Sequence, residues 1–341
     1  MRFFCVAAII VLFISCNRSN KQPDVSKIHV NVRIERFDKD FFSLDTNHLE
    51  SGIQQLKQKY PSFLPLYFEF LSPINGIVKQ EGKTFNSAFN EYFRVIKPLA
   101  DAVQKKYSNL DEQQKGLQQN LRYVKYYYPN FKIPAVIASV ESLNPDNPQE
   151  IYGTTYYDDT LILSLQMFMG KDFSAYDPSQ YFDYIRRRFE PQYIVPNSIR
   201  AIANVIYADS SQTASLIEQI IEKGKQWYLL DKFLPDTPDS LKTGFTKRQL
   251  QFCKENEGNI WGAILSSSQD LYTIDQEIIQ NYIGEAPFTQ NMPPESPGNI
   301  GQWVGWQIVK KFESLHPDLT VQQILATPAK KLFQESKYKP K

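Results

Sequence analysis

The sequence contains few of the residues that build metal sites and disulfide frameworks. Its 341 residues include three cysteines and three histidines. Three cysteines cannot form a disulfide framework, and three histidines leave little for a metal site. The 38 basic side chains are balanced by 37 acidic ones, so the chain offers no field that would attract a polyanion. We therefore predict no metal, no cofactor and no nucleic-acid partner.

The chain also lacks the short motifs that mark common enzyme classes. It contains no G-x-x-x-x-G-K-[ST], no G-x-G-x-x-G after a strand, no G-x-S-x-G and no C-x-x-C. These motifs are typical of nucleotide-binding, dinucleotide-binding, hydrolase and redox sites. Their absence argues against a nucleotide ligand, and the sequence offers no catalytic residue to predict.

The distribution of apolar residues predicts the fold class. Hydrophobic residues make up 42% of the chain and charged residues 22%, as in folded globular proteins. The alternation over 27–37 predicts a half-buried strand, and helical spacing follows between 47 and 128. Further β-rich runs occur at 133–140 and 151–168, and the helical spacing then returns. We predict an α+β fold, predominantly α-helical with a small central β-sheet.

Two kinds of local signal refine this prediction. Asp158 and Asp159 lie between two β-rich runs and predict the turn of a hairpin. Hydroxyl residues followed three positions later by Glu or Gln predict helix starts at Ser215, Thr246 and Thr320.

The first residues have the layout of an export signal. Arg2 precedes an unbroken apolar run over 3–14, and Ser15 and Cys16 follow. Twelve apolar residues are too few to span a bilayer, but they fit the core of a cleaved signal peptide. A small residue before a cysteine resembles the bacterial lipoprotein signal, in which the cysteine is acylated. We therefore predict lipidation of Cys16, with palmitate in the anchor.

These signals predict how the chain is organised and where it resides. The predicted segments are a signal peptide at 1–15, a lipidated tether at 16–27 and a single large α+β domain at 28–341. The lipid is expected to hold the balanced, uncharged protein to the membrane. Asn17 stands where some bacteria use Asp to retain lipoproteins in the inner membrane, which favours the periplasmic face of the outer membrane.

Two consecutive helical stretches, 193–207 and 215–235, resemble the paired helices of H-E-x-x-H zinc peptidases. In that class the first helix supplies two His residues and the second supplies a Glu. Here 200–205 reads RAIANV, so the His pair and the catalytic Glu are missing. The resemblance implies a gluzincin-like scaffold without its metal motif, a pseudoenzyme. Glu222 on the second helix is then a surface or capping carboxylate.

A late motif follows a Pro/Gly-rich loop and begins a helix predicted over 302–312. Gly301 and Gly305 lie one turn apart and carry no side chains, so another element can approach the helix closely. Trp303 and Trp306 are interpreted as core residues. The alternative is that one of them lines a groove for a peptide or partner.

Two other features have structural interpretations. The run Arg186-Arg187-Arg188 is interpreted as a solvated helix face with acidic partners. Cys253 has no His nearby and is interpreted as a small buried hydrophobe.

The stretches 186–207, 222–240 and 296–312, together with the lipoprotein start, resemble the gliding-motility-associated lipoprotein B family. The likeness covers most of the chain, and its most specific part is the late motif with two Gly and two Trp. The resemblance implies an envelope lipoprotein that gliding relatives need for movement of cell-surface adhesins. It carries no known catalytic residue.

We therefore predict a lipid-anchored cell-envelope protein that acts as a non-catalytic binding or assembly factor, in gliding motility or a related envelope process. The predicted docking groove for another envelope protein lies between the hairpin around Tyr157 and the helices with Asn204 and Glu222. Trp303 and Trp306 are further groove candidates. Two alternatives stay open. One is an atypical periplasmic hydrolase that uses Glu222 with Asp or Tyr partners, and the other is a purely structural tether.

Overall fold

The computed structural model describes residues 22–146, 150–267 and 271–340. The predicted signal peptide and Cys16 lie outside these ranges, as does the first part of the predicted tether. Within them, no helix combines the length and the apolar character needed to cross a membrane.

Four strands of the described residues form one mixed sheet. They are β1 (Ile34–Arg36), β2 (Ala135–Ser139), β3 (Thr154–Tyr157) and β4 (Thr160–Ser164), in the order β1-β2-β4-β3. Strands β1, β2 and β4 are parallel, whereas β3 runs antiparallel to β4. Strand β3 therefore forms one edge of the sheet in the described part of the chain.

Along the chain, most of the helices come either before β2 or after β4. Those before β2 are α1 (Phe37–Phe42), α2 (Leu49–Lys59), α3 (Phe63–Leu66), α4 (Ile74–Glu81), α5 (Phe85–Lys106) and α6 (Asp111–Tyr127). Those after β4 are α7 (Asp183–Arg186), α8 (Ile194–Ile206), α9 (Leu216–Phe233), α10 (Asp239–Thr243), α11 (Lys247–Glu255), α12 (Glu257–Ser267), α13 (Gln276–Ile283), α14 (Ile300–Leu315), α15 (Val321–Ala326) and α16 (Ala329–Ser336). The predicted α+β class, mainly helical with a small sheet, is confirmed.

Local sequence signals place several of these elements. Capping boxes at Ser215, Thr246 and Thr320 begin α9, α11 and α15, as predicted. The β3–β4 hairpin turns at Asp158 and Asp159, whose φ angles of 46° and 55° are the left-handed values that such a two-residue turn requires.

The first strand is shorter than the alternation over 27–37 predicts. Only Ile34–Arg36 pairs with β2. The strand ends there because helix α1 begins at Phe37. The alternation still describes burial, since Val32 and Ile34 are buried while His29 is exposed. The pattern thus identified the inward face correctly and overestimated the length of the ladder.

The late helix packs against α9 through glycine. A Cβ added at Gly305 would lie 1.8 Å from the carbonyl oxygen of Ile220, and one added at Gly224 would lie 2.1 Å from the carbonyl carbon of Gly305. The two backbones therefore touch directly. The structure places Trp303 and Trp306 in the core, with 1% and 2% of their surface exposed.

Cys253 lies on α11 and is completely buried. Burial raises the pKa of its thiol to about 12, so the reactive thiolate is scarce at neutral pH. We expect iodoacetamide to leave Cys253 unmodified in the native protein and to modify it fully in urea, as measured by mass spectrometry of the peptide. Modification of the native protein at the rate of a free thiol would contradict this burial.

Candidate functional site

A cleft of about 300 Å³ lies between β3 and α8, and we call it the edge cleft. Thr154, Thr155 and Tyr156 of β3 all line it. Consecutive strand residues point to opposite faces of a sheet, so a cleft lined by all three runs along the edge of the strand. The opposite wall is one face of α8.

The α8 wall follows from helical spacing. Asn197, Arg200, Ala201 and Asn204 line the cleft, and positions three and four apart share one face of a helix. The side-chain amide of Asn197 also donates a 2.7 Å hydrogen bond to the carbonyl oxygen of Tyr152, which connects α8 to the residues just before β3.

The cleft side of β3 carries backbone groups without a strand partner. The Ser164 N–H donates to the Gly153 carbonyl at 3.0 Å, which makes this a hydrogen-bonded pair of the antiparallel ladder. Such pairs alternate with pairs that turn their N–H and C=O groups away from the neighbouring strand. The register pairs Thr154 with Leu163, so Thr154 and Tyr156 present their backbone groups at the free edge.

Two arginines meet beside the cleft, of which Arg188 is buried and Arg200 is half-buried. The Arg188 guanidinium donates from both terminal nitrogens to the two carboxylate oxygens of Glu285, each at 3.1 Å. The guanidinium carbons of Arg188 and Arg200 lie 5.7 and 5.4 Å from the ring centroid of Tyr152. The prediction of a solvated arginine face is wrong for Arg188, which is 5% exposed. Its charge is paired by Glu285, a residue from a distant part of the chain.

Of the two arginines, Arg200 is the one that lines the cleft. It donates one hydrogen bond to the carbonyl oxygen of Lys242, and its Nε is buried without a partner. Among the described residues no carboxylate lies within ion-pairing distance of it, since Glu285 pairs with Arg188. Burial lowers the pKa of Arg200, and the nearby charge of Arg188 lowers it further, although Tyr152 and Glu285 oppose this.

The predicted groove residues Asn204 and Glu222 lie at different places in the structure. Asn204 lines the edge cleft beside the hairpin strand, as the predicted groove requires. Glu222 does not line it. Its carboxylate accepts hydrogen bonds from Tyr207 and, at 2.7 Å, from the ammonium of Lys225, whose side chain is 2% exposed.

Trp303 and Trp306 are also absent from the cleft wall. The indole N–H of Trp306 donates a 2.6 Å hydrogen bond to Asp231, which satisfies it inside the protein. The structure therefore brings one of the four predicted groove residues, Asn204, to the cleft.

Glu222 has a structural role that a substitution can measure. Lys225 also donates to the Thr327 carbonyl at 2.8 Å, but Glu222 is its charged partner. We expect Glu222→Ala to lower the free energy of unfolding by about 2 kcal/mol, because a buried ammonium loses its carboxylate. Urea denaturation measures this loss. The double variant Glu222→Gln/Lys225→Met should recover most of it, and a double variant no more stable than Glu222→Ala would contradict the pairing.

Sequence reasoning missed Arg200, which lies three residues after Asn197 and four before Asn204 on the same helix face. That spacing was a usable signal. Among the residues that the structure describes, no group of three or more His, Cys, Asp or Glu side chains is placed to hold a metal ion.

Comparison with known families identifies the chain at the family level. A family model described as gliding motility protein GldB matches residues 18–340. The chain belongs to the GldB family. The resemblance predicted from the motifs is thereby confirmed, and the chain is a gliding-motility-associated lipoprotein of the cell envelope. No curated protein and no solved structure matches it, so the likeness to zinc peptidases stays a prediction.

Proposed function

We propose that this lipoprotein binds another envelope protein without catalysing a reaction and acts as an assembly factor in gliding motility or a related envelope process. The observation that supports this function is the edge cleft with its free strand edge. Of the described residues that line it, none is a His, Cys, Asp or Glu, the side chains that most often perform acid–base or nucleophilic chemistry.

The free edge of β3 is suited to an extended segment of a partner. Such a segment adds a strand to a sheet by pairing with unpartnered backbone groups, here those of Thr154 and Tyr156. Side chains of the segment then meet the α8 wall. Val205 at the cleft and Tyr157 at the hairpin are about half exposed, at 51% and 53%, and offer apolar contacts.

In this proposal the lipid on Cys16 attaches the binding domain to the membrane. Acyl chains hold the protein at a membrane surface, which we propose is the periplasmic face of the outer membrane. Binding there is restricted to partners that reach the same surface, and the local concentration of both proteins favours assembly.

The two alternatives make different demands on the cleft. An atypical hydrolase based on Glu222 needs that carboxylate at the substrate. Glu222 instead forms an ion pair with Lys225 and is not one of the residues that line the cleft. A purely structural tether needs no occupied cleft at all.

Photocrosslinking in intact cells tests the proposal. We would place p-benzoylphenylalanine at Val205, which lines the cleft, and separately at Val95, an exposed valine on α5. We expect Val205 to crosslink one discrete envelope protein, with the attached segment mapped by mass spectrometry. Cys16→Ala should reduce this product, because the unanchored protein no longer shares the membrane surface with its partner.

The remaining outcomes separate the alternatives. The same products from Val205 and Val95, or none from Val205, would place docking elsewhere and favour the tether. Cleavage of peptides by the purified protein, lost in Glu222→Gln but not in Asn204→Ala, would overturn the non-catalytic proposal in favour of the hydrolase.

A further inference from the structure

We infer that the segment bound in the edge cleft carries a carboxylate and that Arg200 receives it. This inference rests on the proposed docking function and adds the chemistry of the occupant. The carboxylate can come from the C-terminus of the partner or from an Asp or Glu side chain within it.

The charges around the cleft are unequal. The guanidiniums of Arg188 and Arg200 both lie near the Tyr152 ring, and Glu285 forms an ion pair with Arg188. Glu285 is bound on both oxygens by Arg188 and also accepts hydrogen bonds from Asn299 and Tyr152. Among the described ion pairs the carboxylate of Glu285 goes to Arg188, so Arg200 keeps a positive charge that no described carboxylate pairs.

That surplus charge is exposed to the cleft at Arg200. Its one backbone acceptor, the Lys242 carbonyl, is neutral, and the Tyr152 ring contributes a weaker attraction. Desolvation of a guanidinium without an anionic partner is unfavourable, and a carboxylate arriving in the cleft relieves it. Asn197 and Asn204 flank Arg200 on the same wall, where side-chain amides can donate to the same anion.

The described wall of the cleft suits such a group. None of the described residues that line it is acidic, and the cleft of about 300 Å³ is large enough for an acidic side chain or a chain terminus with its neighbours. The strand edge fixes the backbone of the segment, so the acidic group is held at a defined position along α8. Charge and edge pairing therefore act on the same ligand.

Peptide selection tests the inference without knowledge of the natural partner. The full lipidated chain in detergent is used to select from two random heptapeptide libraries, one with a free C-terminus and one with the C-terminus fused to a carrier. We expect enrichment of peptides with one fixed carboxylate. Enrichment in the free library alone identifies a terminal carboxylate, and Asp or Glu at a fixed position in both identifies a side chain.

Binding measurements then assign the carboxylate to Arg200. For the selected peptide, Glu→Gln or amidation of the terminus should weaken binding to the wild-type protein by about tenfold in fluorescence anisotropy. The same change should have little effect on binding to Arg200→Gln. Arg122→Gln is the matched control, because Arg122 is also half-buried with an unpartnered Nε but lies on α6.

Changes in the peptide keep the test valid if Arg200→Gln folds poorly, since they leave the protein intact. Selection of neutral peptides that crosslink to Val205 would overturn the carboxylate and leave the docking function standing. Failure of both libraries to enrich any peptide would overturn the docking function itself, and the inference with it.

Discussion

Replacing Gly305 by alanine is expected to prevent α9 and α14 from packing and to leave little folded protein. The added methyl would lie 1.8 Å from the Ile220 carbonyl oxygen and close to the Cα of Gly224. Both neighbours are helix backbone, which cannot rotate away as a side chain can. Overpacking of a core usually costs about 1 to 3 kcal/mol, and we expect at least about 4 kcal/mol here because whole helices must separate.

A matched glycine separates this collision from the general effect of the substitution. Gly262 is exposed within α12, and an added Cβ there meets nothing within 4 Å. Gly262→Ala should raise the free energy of unfolding by about 1 kcal/mol, since alanine favours the helix. Circular dichroism during urea denaturation measures both variants. Gly305→Ala within about 1 kcal/mol of wild type would show that the helices do not meet at this glycine.

The sequence was most informative where a local pattern decides the structure. Capping boxes at Ser215, Thr246 and Thr320 specify helix starts within four residues, and Asp158 and Asp159 specify a turn within two. These elements were predictable because their hydrogen bonds close between near neighbours in the chain.

Elements that depend on distant partners were harder to predict. The strand at 27–37 has the right alternation, but its length is set by how much of β2 it meets. Arg188 belongs to a run of charges that usually lies in solvent, and its burial depends on Glu285 from a different part of the chain. Local composition contains no information about that partner.

The candidate site shows the same division. The likeness to the zinc-peptidase scaffold placed both Asn204 and Glu222 at the groove, and of the two Asn204 lines the cleft. Glu222 instead pairs with its near neighbour Lys225, three residues on. Helical spacing could have placed Arg200 on the cleft face of α8 with Asn197 and Asn204, but its contact with the Tyr152 ring arises only in the folded protein.

The fold also explains why the cleft can stay open. Helix α8 is held by α9, and α9 is fixed against α14 by the glycine contact, so the α8 wall is supported from behind. Strand β3 is held by β4 on one side only. An edge strand and a supported helix thus form the two walls of the edge cleft.

Replacing Glu285 by glutamine is expected to lower the free energy of unfolding markedly, because the buried Arg188 loses its carboxylate. The substitution removes the carboxylate that binds Arg188 on both oxygens. The lost carboxylate leaves the buried charge of Arg188 uncompensated. Breaking a fully buried pair costs about 3 to 5 kcal/mol, and the partial exposure of the Glu285 side chain, 31%, reduces this to about 2 to 3 kcal/mol. Glu295→Gln is the matched control, because Glu295 pairs with Arg248 on the surface and should contribute less than about 1 kcal/mol.

The pH dependence of stability identifies the cause of this loss. Burial alone would raise the pKa of Glu285, but the charges of Arg188 and Arg200 outweigh it and hold that pKa below the ordinary 4.5. The pair therefore stabilises the wild-type protein fully above pH 4.5, and this contribution disappears as the pH falls through the lowered pKa. Urea denaturation across this range should show the wild type losing its advantage over Glu285→Gln in acid. A constant difference at every pH would mean that glutamine disturbs packing and that the ion pair is not the source of the stability.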